Sequence, residues 1–421
     1  MRVTLEQWSE SDLPVLERSN EPGMTAHLGG PESAEQVRER HARYLRLWNE
    51  GGGWMYRIDV DGEPAGSIGF WEIEHEERPA YEAGWSVHPE HQGRGIARVA
   101  LRQLVHLAAG RHDRGVLLAF PGVDNAASNA LCRTLGFAHT GSGTMPWRGA
   151  ELSFNVWELD LSPLDLDGRS PDTQERFGEG VLDETLWWPY YTPHWSSRER
   201  AAARYVVDTD GLELRIEAST PPWAPDIDGD VRVSHLQTGQ LSGAVGSTVG
   251  QHRFRQGLMV REAQPERRLW LPHFGVIEVR MAAIRHPDAM VACWPIGFEE
   301  RPHDSGEICI AEIFGSEMDD GGGWVGVGVK PQNDPRLRED FEKIRVEGDL
   351  TGFHDYAVEW MPDQLRFFID HRWVKTVRQR IDYPVQLMLD VYELPNDSGE
   401  RDLSGLPHRF RVERVRTWPA A

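Results

Sequence analysis

EAGWSVHPEHQGRGIA, residues 82–97, reads as a strand end, a polar turn and a helix start. The strand runs from Tyr81 to Val87. From Arg94 to Ala109, apolar residues recur at Ile96, Val99, Ala100, Leu104 and Leu107, the spacing of one helical face. Gly93 and Gly95 let successive backbone amides converge. The helix start adds its own unpaired N–H groups and the positive end of its dipole, and together these make an anion site suited to a pyrophosphate. Ala97 has almost no side chain, so a ligand has room beside the helix. A bare glycine turn fits an unliganded loop equally well. The dinucleotide pattern Gly-x-Gly-x-x-Gly with a later acidic residue is missing.

Outward from this stretch, helix and strand signals alternate. Ser33-Ala34-Glu35-Gln36 has the form of a capping box opening a helix to about Asn49. Trp54–Val60 and Glu63–Trp71 read as strands joined by a hairpin turn at Asp61-Gly62. Gly115–Phe120 reads as a buried strand and Asn125–Leu135 as a second helix. Residues 161–180, LSPLDLDGRSPDTQERFGEG, break this order with Pro, Asp and Gly. The expected organisation is a mixed α/β domain over 1–162, a linker over 163–180 and a domain of different class over 181–421.

Gln92-x-x-Gly95-x-Ala97 resembles the pyrophosphate-binding signature of the GCN5-related N-acetyltransferases. Asn125-x-x-Ser128 with Gly136-Phe137 resembles that family's downstream segment, in the expected order and spacing. The resemblance covers about residues 1–162 and implies use of acetyl-CoA. It implies that the amides of Gln92, Gly93, Arg94, Gly95, Ile96 and Ala97 hold the pyrophosphate. The strand Trp85, Ser86, Val87 would splay from its neighbour and bond the pantetheine arm, with Asn125 and Ser128 close to that arm or to the loop. Cys132 stands where the family often has a tyrosine, and reads either as a thiol donor or as a small apolar filler.

A protonated amine is not a nucleophile, so direct transfer needs a base. Glu82 is the candidate, against the alternative of a solvated strand carboxylate; Glu72 and Glu74 are weaker rivals. His75, His88 and His91 form no metal-ligand pattern, and no metal is expected.

Beyond about residue 175 the chain reads as all-β, with short runs such as Gly275–Ala282, Gly306–Phe314, His354–Met361 and Val385–Glu393. Ten of the 17 tryptophans lie here, as sandwich core or as platforms for sugar rings. Within Gly306–Phe314, Glu307 and Glu312 are five apart and face opposite sides of a regular strand. A bulge near Ile310-Ala311 brings Glu307, Cys309 and Glu312 onto one face, a pairing suited to retaining glycoside hydrolysis.

This segment resembles the Glu-x-Asp-x-x-Glu signature of family 16 glycoside hydrolases, the laminarinase and lichenase group, with a β-jelly-roll sandwich. Phe274–Arg280, Val291–Trp294, Phe353–Asp363 and Tyr383–Leu389 extend the likeness over roughly 200–395. The resemblance implies Glu307 as nucleophile and Glu312 as acid/base. Cys309 replaces the family's Asp and cannot supply the same field.

The chain has 421 residues, enough for two or three domains at roughly 100–200 residues each, and a formal net charge of −22, which repels nucleic acid and anionic membrane. No apolar run approaches a membrane span, the N-terminus lacks the form of a secretory signal, and three cysteines make no disulfide framework, so a cytoplasmic protein is expected. The expected function is an N-acetyltransferase acting on a small-molecule amine, fused to a sandwich that binds a glycan or glycoconjugate, with its retaining two-glutamate hydrolysis left open. The alternative is a non-catalytic carbohydrate-binding module joined to a coenzyme-binding acyltransferase fold.

Overall fold

A computed structural model of the chain describes residues 1–147, 150–395 and 401–420. It divides into two compact units, Met1–Pro163 and Leu164–Ala421.

The first unit is a seven-stranded sheet in the order β1-β2-β3-β4-β5-β7-β6, where β1 is Val3–Gln7, β2 Gly53–Val60, β3 Glu63–His75, β4 Arg78–Val87, β5 Val116–Ala119, β6 Ala138–Trp147 and β7 Ala150–Asp160. Every pairing is antiparallel except β4 with β5. Its helices are α1 (Leu13–Ser19), α2 (Ala34–Glu50), α3 (Ile96–Ala109) and α4 (Ala126–Thr134). The Ser33–Gln36 capping box forms as read, with both reciprocal bonds made. Asp61 and Gly62 both take positive φ, at 52° and 92°, the geometry that closes a tight hairpin. The α3 residues Ile96, Ala100, Leu101, Leu104 and Val105 are buried. On the other side Val15, Leu16 and Val37 of α1 and α2 pack with Trp8 and Met55.

The second unit is a sandwich of two antiparallel sheets. One contains Phe353–Trp360, Gly275–Ala282, His408–Trp418 and Gly211–Ile216 as neighbours. The other contains Arg232–Gln237, Met388–Glu393, Ala289–Cys293, Glu307–Phe314, Gly322–Lys330 and Asp340–Glu347. One apolar core joins them: Ile277, Val279, Tyr356, Val358 and Phe410 from the first sheet meet Val291, Ile308, Ile313, Val327 and Leu389 from the second. Residues 163–180, expected as a linker, are largely built into this unit. Thr173–Glu175 pair with His408–Trp418, and Leu164 and Phe177 are buried. The Pro, Asp and Gly content that reads as a linker serves here to turn the chain between these anchors. The run Val385–Glu393 is two strands, Val385–Gln386 and Met388–Glu393, on neighbouring parts of the same sheet.

Nine of the ten tryptophans in this unit are buried; Trp324 is 42% exposed. They are therefore core far more than platform, because an indole buries a large apolar area.

Candidate functional site

In the first unit the sheet opens where the sequence pointed. β4 and β5 pair only at Tyr81 with Leu117 and Glu82 with Leu118. From Ala83 to Val87, β4 stays bonded to β3 and has no partner strand on its other side. The open edge, with Trp85, Ser86 and Val87, leads straight into the turn.

A short helical turn, Pro89–His91, follows, then Gly93 at φ 70° and Gly95 at φ 79°. A side chain at either glycine would meet open space, so the demand for glycine comes from the left-handed backbone, which costs any L-residue strain. Gly95 caps α3, and its carbonyl accepts the amides of Arg98 and Val99. The Gln92 amide is spent inside the turn on Pro89 O at 3.2 Å. Among the described residues, no bond within the chain takes up the amides of Gly93, Arg94, Gly95, Ile96 and Ala97. The unspent run therefore starts one residue later than the motif implies. Gln92 contributes its side chain instead: Nε2 donates to Val87 O at 2.8 Å and ties the strand end to the loop.

Asn125 caps α4, its side-chain oxygen accepting the Ser128 amide at 3.1 Å. Asn129, to which no motif in the sequence points, holds this corner. Its Nδ2 donates to the carbonyls of Gly122 and Asn125, and its Oδ1 accepts from Asn155 and the Trp157 indole, all at 2.8 Å.

Glu82 is partly buried on β4, and Trp71 Nε1 donates to its Oε2 at 3.2 Å. Burial raises its carboxyl above the usual carboxylate range, opposed by the indole bond. Its rival Glu72 is held by Arg114 at 2.5 Å. Further along β4, Ser86 Oγ donates to Ser19 Oγ at 3.2 Å, and Ser19 lies 3.3 Å from His88 Nε2. Cys132 is fully buried, and burial pushes its thiol up to about 12, so it is core filler rather than an acid facing the cleft.

In the second unit the bulge forms at the expected place. Glu307 pairs with Lys330 and Cys309 with Gly328, and the register then shifts so that Glu312 faces Gly326. Ile308, Ile310, Ala311 and Ile313 point into the core, leaving Glu307 and Glu312 on the outer face. Lys330 Nζ lies 3.1 Å from Glu307 Oε1 and 2.8 Å from Glu312 Oε2, so those oxygens are no farther apart than the two distances combined. Gln332 Nε2 donates to the other Glu307 oxygen at 2.5 Å. Burial raises the Glu307 pKa, opposed by Lys330 and Gln332. Burial works against the charge on Lys330, but the facing Glu307, Cys309 and Glu312 outweigh it, so Lys330 stays an ammonium. Cys309 is fully buried, its thiol raised well above its ordinary value by burial, with Sγ against Gly326 O at 3.5 Å.

Lys330 had a signal in the sequence. It is one of only three lysines, at 330, 343 and 375, in a chain that otherwise uses arginine. All three are ion-paired to carboxylates in this unit. Beside the glutamates, the Phe341 ring lies 4.5 Å from Lys330 Nζ. Trp324 shares the outer face of that strand, since Val325, Val327 and Val329 take the core side. Farther across the sheet, Asp390 is buried between His235 and the Trp294 indole N–H, under a layer of Tyr191, Trp195, Trp223 and Tyr392. Among the described residues, no group of three or more His, Cys, Asp or Glu is placed to hold a metal ion, and no helix is long and apolar enough to cross a membrane.

The first unit thus has a mixed sheet with a splayed parallel pair beside a glycine-turned anion site, and the second a bulged carboxylate strand in an antiparallel jelly-roll sandwich. Residues 2–138 match the acetyltransferase (GNAT) domain model, and residues 270–393 the model of glycosyl hydrolases family 16. The first unit is thus an N-acyltransferase domain, fused to a family 16-like domain. Among solved structures, the chain is similar to a GlcNAcα1-4Gal-releasing endo-β-galactosidase from Clostridium perfringens, at 25% identity and TM-score 0.52, over 61% of this chain. It spans 63% of that enzyme's length. It is also similar to a laminarinase from Flavobacterium sp. UMI-01 (18% identity, TM-score 0.40, 59% of this chain and all of that one). A third is RimL, a ribosomal L7/L12 alpha-N-protein acetyltransferase in complex with coenzyme A (25% identity, TM-score 0.34, 38% of this chain and 93% of that one). No curated protein matches the chain.

Proposed function

We propose that the first unit moves acetyl from acetyl-CoA to the amine of an amino sugar or sugar-bearing metabolite, and that the second unit binds a glycan or glycoconjugate on the Glu307–Glu312 face. The observation that carries the first half is the run of five unspent amides from Gly93 to Ala97, a ready partner for a diphosphate. Glu82, with its raised carboxyl, takes the proton from the attacking amine directly or through water. The amine nitrogen then bonds to the thioester carbonyl carbon. Main-chain amides of the open β4 edge stabilise the oxyanion, and the coenzyme leaves as thiolate. Three cysteines, all free and buried, agree with work in a reducing compartment such as the cytoplasm. The sugar acceptor is supported by the fusion itself and by the similar endo-β-galactosidase, whose released disaccharide carries an N-acetylated amino sugar.

For the second half, binding is favoured over cleavage. Retaining hydrolysis needs one ionised carboxylate and one protonated carboxylic acid about 5–5.5 Å apart. Here the Lys330 ammonium takes up one oxygen of each carboxylate and Gln332 the other oxygen of Glu307, so the pair is already engaged by the chain's own groups. The second reading, hydrolysis with Glu307 as nucleophile and Glu312 as acid/base, is favoured by the bulge that gathers them.

The test is coenzyme release by the full chain over a panel of amines including glucosamine and galactosamine, alongside retention and turnover on a glycan array. Release with an amino sugar, and array binding without products, is expected. No coenzyme affinity by calorimetry overturns the transferase reading. Sugar products that disappear in Glu307→Gln replace binding with hydrolysis.

A further inference from the structure

A cavity of about 450 Å³, lined by Thr248, Arg253–Leu258, Gln332 and Asn333, shares Gln332 with the Glu307 site. Gln332 is the link, since its amide also touches Glu307. The lining contains two guanidinium groups, three side-chain amides and one aromatic ring, and no carboxylate. That is contrary to the chain as a whole, which carries 67 acidic against 45 basic residues. Arg253 Nη2 donates to Pro302 O at 3.2 Å, and Arg255 Nη1 to Ile227 O. Each guanidinium is thereby held by a neutral carbonyl, and neither has a carboxylate at ion-pair distance among the described residues. Glu299 lies close enough to feel Arg253, but burial pushes its carboxyl up to about 8, so it is largely neutral at pH 7. The half-buried Phe254 ring packs on Trp223 and His252 at 6.0 and 5.6 Å, which fixes one edge of the cavity as a rigid apolar wall.

We infer that this cavity is a subsite for an anionic sugar, one bearing a sulfate ester or a uronate carboxylate, next to the residue held at Glu307 and Glu312. The inference rests on the glycan reading of the second unit. Planar guanidinium groups match both anions with paired hydrogen bonds, the amides take ring hydroxyls, and Phe254 supplies a face for the ring.

The experiment uses the full chain and two matched pairs: a sulfated galactan oligosaccharide with its desulfated form, and a uronate-containing oligosaccharide with its carboxyl-reduced form. Calorimetry at low salt is expected to show the charged member of one pair binding about tenfold or more tighter, the scale of one charge-assisted hydrogen bond. Which pair responds tells sulfate from carboxylate. The preference falls with added salt. It is lost in an Arg253→Met, Arg255→Met variant, while the neutral member binds as before. Arg253→Gln with Arg255→Gln, carried to the same readout with a thermal melt, separates lost charge from lost fold. Equal binding of charged and neutral members, or a preference that survives both double variants, overturns the inference alone. No binding of any of the four overturns the glycan reading together with it.

Discussion

The coenzyme turn and the carboxylate strand are both built on a backbone irregularity, and they end in opposite electrostatic states. At Gly93 and Gly95 two left-handed residues leave a run of donors unspent. The turn is exposed from Gln92 to Gly95, so water satisfies its donors there until an anion arrives, and keeping them vacant costs little. At Ile310-Ala311 one extra residue gathers two carboxylates on one face, with Glu307 only 4% exposed. Two such charges cannot be left to water, and Lys330 meets both. An exposed site can therefore wait for its ligand, whereas a buried like-charge site has to carry its own counter-ion.

Four substitutions break or sharpen that contrast. The largest effect is expected from Glu82→Gln, which removes the base and leaves the turn intact. The kcat for acetyl transfer falls about 100-fold or more, with little change in acetyl-CoA affinity. In the parent, activity is lost as pH falls through a value above the ordinary glutamate range, because Glu82 must be ionised to accept a proton. Gly95→Val attacks the turn itself. A β-branched residue at φ 79° costs about 1–3 kcal/mol, and calorimetry should show acetyl-CoA affinity down about tenfold to a hundredfold.

At the other site, Lys330→Met strands two carboxylates. Thermal unfolding should show a loss of about 3 kcal/mol, the low end for a broken buried pair because Lys330 is part exposed. The loss shrinks as pH falls, because burial raises the Glu307 carboxyl and a proton there relieves the stranded charge. Glu299→Gln gives the smallest effect. The folded chain holds this proton up to about pH 8, whereas the unfolded chain releases it near the ordinary 4.5, so the parent loses stability as pH rises between the two. The variant's advantage should grow across that window and level off above it.

Local pattern made much of this legible. The capping box of α2 and the Asp61-Gly62 turn depend on a few neighbouring residues and form as read; the α3 helix forms too, but its buried face is Ile96, Ala100, Leu101, Leu104, Val105 and Ala108, with the expected Leu107 exposed and Val99 half-buried. The bulge was legible too, because Glu307 and Glu312 can share a face only if one residue is skipped. Strands that carry charge were not. Asp340–Glu347 reads as polar, and His408–Trp418 interleaves Arg409, Arg411, Arg414 and Arg416 with its apolar residues. These arginines lie along the outer face of their sheet, where Arg414 and Arg416 pair with Asp355 and Glu278 from other strands, which no local window contains. Lys330 escaped for the same reason. It stands directly across from Glu307, yet the loop between them hides the pairing from any short-range reading.

All three thiols of this protein are sealed in its interior: Cys132 on the buried face of α4, and Cys293 and Cys309 within the sandwich. A colorimetric sulfhydryl reagent should find nothing to react with while the chain is folded. The same cuvette then reports two quantities, since a signal that needs acceptor comes from liberated coenzyme, and a slow drift without acceptor marks denaturation.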